Sequence, residues 1–367
     1  MHIMMIANDT TFIYNLRREV LQAFLAKGYR VTIVAQVLRF QEELEGMGCR
    51  IIPVQTGRHG TNPFADLALL GKYRSILRQE KPDLVLTNNI KPCAYGGMAC
   101  RMTKTRYMPN ITGLGTAVEI PGKLQRLTIQ LYKIGTWGAE CIFFQNSDNL
   151  RFFQEKGMLN PKARTALLPG SGVNLEAHPV LPYPQGEEMI HFLFVARLLK
   201  EKGIDLYLEA AKTIHKKYPY TRFHICGGCD DAKYSDIVAQ AEKDGGVEYH
   251  GEQKNMLPFF EMAHCLVHPS YYPEGMSNVL LEAAASGRPA IATDRAGCRE
   301  TVDHGVSGFV IPIQNQQALN EALEAFMEMS AAERRDMGLA GRAKVEKEFD
   351  RKIVVAKYME QINWEEA

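Results

Sequence analysis

The chain has 367 residues, 46% apolar and 23% charged, a composition that excludes a disordered or low-complexity protein and is long for a single core, so two domains are expected. No apolar run approaches the roughly 18 to 20 residues that span a bilayer, and "MHIMMIANDT" lacks the basic and long apolar regions of a secretory signal, so a cytoplasmic protein is expected. The net charge of +1 hides an asymmetry: residues 1–170 carry 22 Lys and Arg against 12 Asp and Glu, a net of +10, and the remainder carries −9, which reads either as a surface bias or as a first half that meets an anionic partner.

The first half alternates strands and helices. "HIMMIA" predicts a buried strand, "FIYNLRREVLQAFLAKG" a helix stopped by Gly28, and "YRVTIVAQ" a second strand. Then come "CRIIPVQ", a helix through "ADLALLGKYRSILRQEKP", the strand "DLVLTNN" and a small-residue helix near 94–103. "TRYMPNITG", helices at about 122–137 and 147–156 on either side of "CIFFQN", and "ARTALLPGSGVN" complete the half. No G-x-G-x-x-G follows the first strand, where Asn8, Asp9, Thr10 and Thr11 stand instead. A nicotinamide dinucleotide site is therefore disfavoured, although amides at that helix start suit an anion.

A Pro-rich connector, "NLEAHPVLPYPQGEE", precedes a second alternating series. It runs through "MIHFLFVARL", "GIDLYLEAAKTIHKKYP", "YTRFHICGG", "YSDIVAQAEKDGG", "VEYHGE", "MLPFFEMA", "HCLVHPS", "SNVLLEAAASG", "RPAIATD", "GCRETVDHG" and "SGFVIPI". The tail from 317 to 366 is expected to be helical. Alternation of this kind predicts α/β architecture with parallel sheets: two Rossmann-like, doubly wound domains over 1–170 and 171–349, with a last helix at about 350–367 packing back on the first. Ligands of such sheets bind at the carboxyl ends of the strands, and a cleft between the two domains is the expected site.

The eight cysteines are scattered, which fits free thiols in a reducing compartment. Cys226 and Cys229 form "CGGC", a redox or half-zinc pattern. There is no second C-x-x-C to complete such a site, so a strand-to-loop turn is the simpler reading.

Glu274 and Glu282 lie eight positions apart in "PEGMSNVLLEAAASG", one before an apolar run and one inside it. Ser277 or Asn278 suits a helix N-cap, which places Glu274 in a loop and Glu282 one turn into a helix. Carboxylates accept from sugar hydroxyls, and amides at a helix start donate to phosphate oxygens. Arg197 and Lys202 follow a strand of the second series, where cations can meet a departing diphosphate. Taken singly, each of these charges also suits an ordinary solvated turn.

Together, "AR-x4-K", the "GG" after the next strand and "H-PS-x3-EG-x3-VLLEA-x3-G-PAIATD-x-G" resemble the retaining GT-B glycosyltransferases of family 4, most closely over about 190–312. The resemblance implies a UDP-sugar donor as substrate, held in the second domain, and no cofactor or metal. It makes Arg197, Lys202 and Glu274 the catalytic set, with the two cations on the diphosphate. Glu282 would hold the ribose, the amides of Gly275, Met276 and Ser277 would reach the sugar and diphosphate, and Asn278 stands beside them. Gly227, Gly228, Gln253, Asn255 and Met256 would line the nucleobase pocket.

The segment "PNITGLGTAVE" lacks the His many members carry there, and "NDTTFIYN" replaces a Gly-rich loop. "ITGLGT" resembles the branch that builds bacterial surface polysaccharides on a lipid-diphosphate carrier. Asn8, Thr10, Thr11, Thr112, Gly113 and Gly115 are the acceptor-side candidates. "GKLQRLTIQLYKIGTW" mixes Lys123, Arg126 and Lys133 with apolar residues, as in a helix lying on an anionic membrane surface, or in one packed on its own sheet with a basic rim. The expected partners are thus a UDP-sugar, a lipid-linked glycan, undecaprenyl-diphosphate-linked as that resemblance implies, and a membrane surface, with no nucleic acid. The rival expectations are a UDP-sugar 2-epimerase of the same fold and a non-catalytic glycan-lipid-binding subunit.

Overall fold

A computed structural model describes residues 1–55, 63–119, 121–184, 189–229 and 231–363. The end of the predicted connector (185–188) and the last residues of the predicted tail (364–367) lie outside these. The chain divides into two compact units. One comprises Met1–Gly172, Glu274–Met276 and Arg351–Ala367, the other Val173–Pro273 and Ser277–Asp350. The short segment Glu274–Met276 groups with the first unit although both its neighbours in sequence belong to the second, an excursion that no boundary read from composition contains.

Among the described residues the first unit has seven strands, β1 (His2–Asp9), β2 (Arg30–Gln36), β3 (Arg50–Pro53), β4 (Leu84–Asn88), β5 (Arg106–Ile111), β6 (Cys141–Phe144) and β7 (Arg164–Leu167). They pair in parallel in the order β3-β2-β1-β4-β5-β6-β7. Its helices are α1 (Thr10–Ala26), α2 (Gln41–Gly46), α3 (Pro63–Glu80), α4 (Gly97–Thr103), α5 (Lys123–Thr136) and α6 (Ser147–Glu155). β1 shows why the sheet is buried on both faces. Met4 and Ile6 enter one apolar cluster with Val85 and Tyr73, while Ile3, Met5 and Ala7 enter another with Ile13, Val20 and Phe24. An uninterrupted apolar strand has no solvent side and so needs helices on both. α2 was not among the predicted elements: its six residues, "QEELEG", are too few for a periodic signal.

The second unit repeats the plan with β8 (Ile190–Val195), α7 (Ile204–Lys217), β9 (Thr221–Cys226), α8 (Ala232–Asp244), β10 (Val247–Tyr249), α9 (Leu257–Met262), β11 (Cys265–His268), α10 (Asn278–Ala285), β12 (Ala290–Thr293) and β13 (Gly308–Ile311), followed by α11 (Gln316–Glu328) and α12 (Ala331–Glu348). Its six parallel strands are ordered β10-β9-β8-β11-β12-β13. A final helix, α13 (Arg351–Ile362), belongs to the first unit, where Val354, Tyr358 and Ile362 join the α1 cluster. In each sheet the first strand is central and the strand order reverses beside it, between β1 and β4 and between β8 and β11. Each unit is a doubly wound, Rossmann-like domain, as the alternation of strands and helices predicts. Loops at the carboxyl ends next to such a reversal are where ligands of doubly wound sheets bind.

Candidate active site

In the second unit, most predicted donor residues stand on loops at the carboxyl ends of β8, β9, β10 and β11. Arg197, exposed, follows β8. The backbone fixes that loop against its neighbours: Ala196 N–H donates to the Cys226 carbonyl at 3.1 Å, Leu198 N–H to Gly228 at 2.9 Å, and Gly227 N–H to Gly251 at 2.8 Å. Gly227 has φ +154°, and a Cβ there would lie 1.8 Å from the Ala196 carbonyl oxygen, so only glycine permits this approach. Arg197, Gly227 and Gly228 are thereby brought together. Cys226 ends β9, which makes "CGGC" a strand-to-loop turn, and all eight cysteines are free.

Lys202 lies on a 3₁₀ turn, Lys200–Lys202, that is tied to the loop after β11. The Glu201 carbonyl accepts from Tyr271 N–H at 2.9 Å and from the Ser270 hydroxyl at 3.4 Å, and the Lys202 ammonium sits 4.8 Å from the Tyr272 ring centroid. The same loop leads through Pro273 into the Glu274 segment. Asn255 accepts from Leu257 N–H at 3.1 Å and Met256 caps α9, which holds the segment after β10, while the Gln253 side chain donates to the His250 carbonyl.

α10 begins as the spacing predicts, with Ser277 at the N-cap and Glu282 one turn in, partly exposed. Its cap is unusual. The Ser277 hydroxyl pairs with His268 Nε2 at 3.2 Å and makes no capping bond, while Ser277 N–H donates to the Gly297 carbonyl at 2.8 Å. Ser277 supplies no side-chain cap, and no other side chain among the described residues bonds the first turn, so its amides are left available. Beside them the buried Asn278 Oδ1 has no hydrogen-bond partner among the described residues. Both features suit a ligand that supplies acceptors to the amides and a donor to Asn278.

Glu274, Gly275 and Met276 are held within the first unit. Asn146 Nδ2 donates to the carbonyls of Gly275 at 2.6 Å and Glu274 at 3.2 Å. A Cβ on Gly275 would lie 2.3 Å from Gln145 Oε1 and 2.5 Å from the Thr112 carbonyl oxygen. Gln145 and Asn146 follow β6 and were not singled out from sequence. "FFQN" carries no motif, and only the fold brings it to a segment nearly 130 residues away.

Among the acceptor-side candidates, Thr112 therefore abuts Gly275. It also neighbours Asn8 through Asn89, whose side chain accepts from Asn8 N–H at 3.1 Å and donates to the Thr112 hydroxyl at 3.5 Å. Thr10 is fully buried, and its hydroxyl donates to the Arg39 carbonyl at 2.6 Å and accepts from Leu38 N–H at 3.1 Å. β1 passes directly into α1 with Asp9 as N-cap, accepting from Phe12 N–H at 2.9 Å, and leaves Thr11 partly exposed on the first turn. The Gly113 carbonyl accepts from the Tyr132 hydroxyl at 3.3 Å, and Gly115 precedes a short 3₁₀ turn.

One titratable feature of the second unit stands outside these sets. His264, His191, His224 and His250 form a ladder of near-parallel rings across the sheet. Burial, then the neighbouring His191 and His250, pushes His224 down to about 3, and burial, then His191, Arg334 and Arg288, does the same to His264.

Comparison with known proteins matches residues 182–344 to the glycosyl transferases group 1 family and residues 2–146 to the glycosyl transferase 4-like family. The chain is 24% identical over 364 residues to the N,N'-diacetylbacillosaminyl-diphospho-undecaprenol alpha-1,3-N-acetylgalactosaminyltransferase of Campylobacter jejuni, covering 95% of this chain and 94% of that one. It is 25% identical over 308 residues to the capsular polysaccharide biosynthesis glycosyltransferase CapM of Staphylococcus aureus, covering 79% of each. Among solved structures, sucrose-phosphate synthase from Thermosynechococcus elongatus superposes with a TM-score of 0.80 at 19% identity, covering 99% of this chain and 98% of that one. Anabaena HepE in complex with UDP-glucose superposes at 0.79 and 15% identity, covering 99% of each. With two family domains that together account for most of its length, and with both sheets ordered as that fold requires, this chain belongs to the group 1 glycosyltransferases of the GT-B fold.

Proposed function

We propose that this chain transfers a hexose or an N-acetylhexosamine from a UDP-sugar, with retention at the anomeric carbon, to an undecaprenyl-diphosphate-linked glycan during assembly of a surface polysaccharide or glycoconjugate. The observation that carries the reading is the uncapped start of α10, with the orphaned Asn278 acceptor beside it and Glu282 one turn on. Amides there meet phosphate oxygens, and the two acceptors meet sugar hydroxyls. The Campylobacter relative, which acts on an undecaprenol-diphosphate-linked acceptor, supports the acceptor class, and the UDP-glucose complex of HepE supports the donor class.

On this reading the bond from the anomeric carbon to the diphosphate oxygen breaks while a bond to the acceptor oxygen forms on the same face. The acceptor proton passes to the departing diphosphate oxygen, so no protein nucleophile is needed. Arg197 and Lys202 meet the charge that grows on the diphosphate, and Glu274 contacts the transferred sugar. This chemistry draws on fixed cations and amides and needs no metal.

The test is incubation with a panel of UDP-sugars, with and without a lipid-linked acceptor. Transfer that depends on the acceptor supports the proposal. Conversion of the UDP-sugar alone marks a 2-epimerase, and binding without turnover marks a non-catalytic subunit. UDP at a hundredfold above its dissociation constant should stabilise the protein by about 2.7 kcal/mol. Glu282→Ala should reduce that shift, and an unchanged shift would remove the ribose role. Arg197→Ala and Lys202→Ala should each raise the barrier by about 2 to 4 kcal/mol, with a smaller effect on donor affinity. A loss confined to donor affinity would make them ground-state anchors.

A further inference from the structure

The histidine ladder ends at the exposed edge of the second sheet, because β10 is its outermost strand. Glu248 on β10 is the direct cross-strand partner of His224 on β9, and His250 lies two positions beyond Glu248, so the alternation of a strand puts both on the face that His224 occupies. His224 Nδ1 lies 3.0 Å from His250 Nε2 and 3.5 Å from Glu248 Oε2. All three atoms fall within 4.8 Å of one another. A tetrahedral zinc ion, about 2.1 Å from each ligand, holds its ligand atoms roughly 3.4 Å apart. Two edges of the triad already have nearly that spacing, and rotation of the half-exposed Glu248 side chain can close the third.

We propose that His224, Glu248 and His250 bind one divalent transition-metal cation at the β10 edge of the second domain, in a site separate from the sugar-transfer residues. Two imidazoles and a carboxylate suit zinc or cobalt rather than magnesium or calcium, and three protein ligands leave the remaining position to solvent. The surroundings fit a ligand set. His224 Nε2 lies 2.8 Å from His191 Nδ1, so with its proton on Nε2 it donates there and keeps a lone pair on Nδ1 for the cation. The His191 backbone N–H in turn donates to His264 Nδ1 at 3.1 Å. In that tautomer His224 Nδ1 accepts from His250 Nε2–H when no metal is bound, and coordination through His250 Nε2 calls for the tautomer with its proton on Nδ1. Arg222 Nε stands 4.0 Å from the other Glu248 oxygen, which leaves Oε2 turned to the triad. His250 N–H donates to the Ile225 carbonyl at 2.9 Å, so the ligand at the strand's end is anchored by backbone. The segment Gly251–Met256 leaves the sheet here, and a bound cation fixes its root.

The experiment uses the full, tag-free chain titrated with cobalt(II), read by its visible d–d absorption, with competition by zinc. The expected result is one tetrahedral cobalt per chain, displaced by zinc, with no thiolate charge-transfer band. Glu248→Gln and His250→Asn, both at the exposed strand edge, should each weaken cobalt binding by about tenfold or more while far-UV circular dichroism is unchanged. Cys229→Ser should leave binding intact. Absence of a tetrahedral band, survival of binding in both triad variants, or its loss in Cys229→Ser would each overturn the proposal.

Discussion

At the residue scale, two positions carry consequences that their chemistry alone does not announce. Gly275 is squeezed between a side-chain oxygen and a backbone oxygen. The Gln145 amide can rotate away, but the Thr112 carbonyl belongs to the chain leaving β5 and cannot. Gly275→Ala is therefore expected to cost about 1 to 3 kcal/mol through overpacking, measured by urea unfolding. A variant as stable as the parent would show that this contact is loose. His264 is the second. It is neutral in the fold, held down to about 3, against about 6.5 in an unfolded chain. Between those values the unfolded chain binds the extra proton, so the stability contributed by neutral His264 is fully present above about pH 6.5. It is lost as the pH falls towards 3. The loss from this one group is about 1.4 kcal/mol per pH unit. Unfolding free energies at pH 7, 6, 5 and 4 should therefore fall less steeply for His264→Gln than for the parent. Parallel slopes would mean that His264 is not the group being protonated.

Elements divide by how much of their role periodicity and composition convey. The strands and long helices were legible, because an apolar run with no polar face has to be a buried strand and a cap residue before an apolar run starts a helix. That logic placed α10 and Glu282. It did not reveal that Ser277 turns its hydroxyl to His268, nor that Asn146 holds the Glu274 segment. Both depend on neighbours supplied by the fold, the second from far away in the chain. The His224, Glu248 and His250 triad was hidden for the same reason: E-x-H is unremarkable until β9 pairs beside it. α5 is an intermediate case. Its sequence has apolar residues around most of the helix, so packing against the sheet and contact with a surface were both open. The structure buries Thr128, Tyr132, Gly135 and Thr136 and leaves Leu124 and Leu127 about half exposed, with Ile134 and Trp137 on the same outward stripe. Lys123 and Arg126 are exposed alongside, and Lys133 lies over the Trp137 ring at 5.4 Å. No helix among the described residues is long and apolar enough to cross a membrane. An outward stripe of this kind suits shallow insertion into an anionic surface, consistent with the proposed lipid-linked acceptor. Replacing Lys123, Arg126 and Lys133 with Gln should weaken co-sedimentation with anionic vesicles at low salt, by about 1 kcal/mol per residue, and leave turnover of a short soluble acceptor intact. Equal sedimentation of parent and variant with anionic and neutral vesicles would sink the membrane role.

At the scale of the whole molecule, the chain returns to its beginning to finish the first domain. Arg351 secures the return: its guanidinium donates to the carbonyls of Ser171, Gly172 and Asn15 at 3.2, 3.0 and 2.9 Å and pairs with Glu19 at 3.0 Å. Tyr358 completes it in the core. Its hydroxyl accepts from Asn110 Nδ2 at 2.6 Å, and its ring lies 4.5 Å from that of Phe143 on β6. The first domain's core therefore depends on residues synthesised after the whole of the second. Tyr358→Ala should destabilise the first domain by about 3 to 5 kcal/mol, since it leaves a large cavity and an unpaired buried amide. The two domains can be followed separately. Trp137 belongs to the first unit, so in a Trp364→Phe background intrinsic tryptophan fluorescence reports that unit. The variant should shift the fluorescence-detected urea transition to lower denaturant. Stabilisation by UDP, which rests on the proposed donor residues of the second unit, should persist where that unit is still folded. If Tyr358→Ala instead leaves the fluorescence transition unmoved, α13 is an ornament on the first domain and its core closes without it.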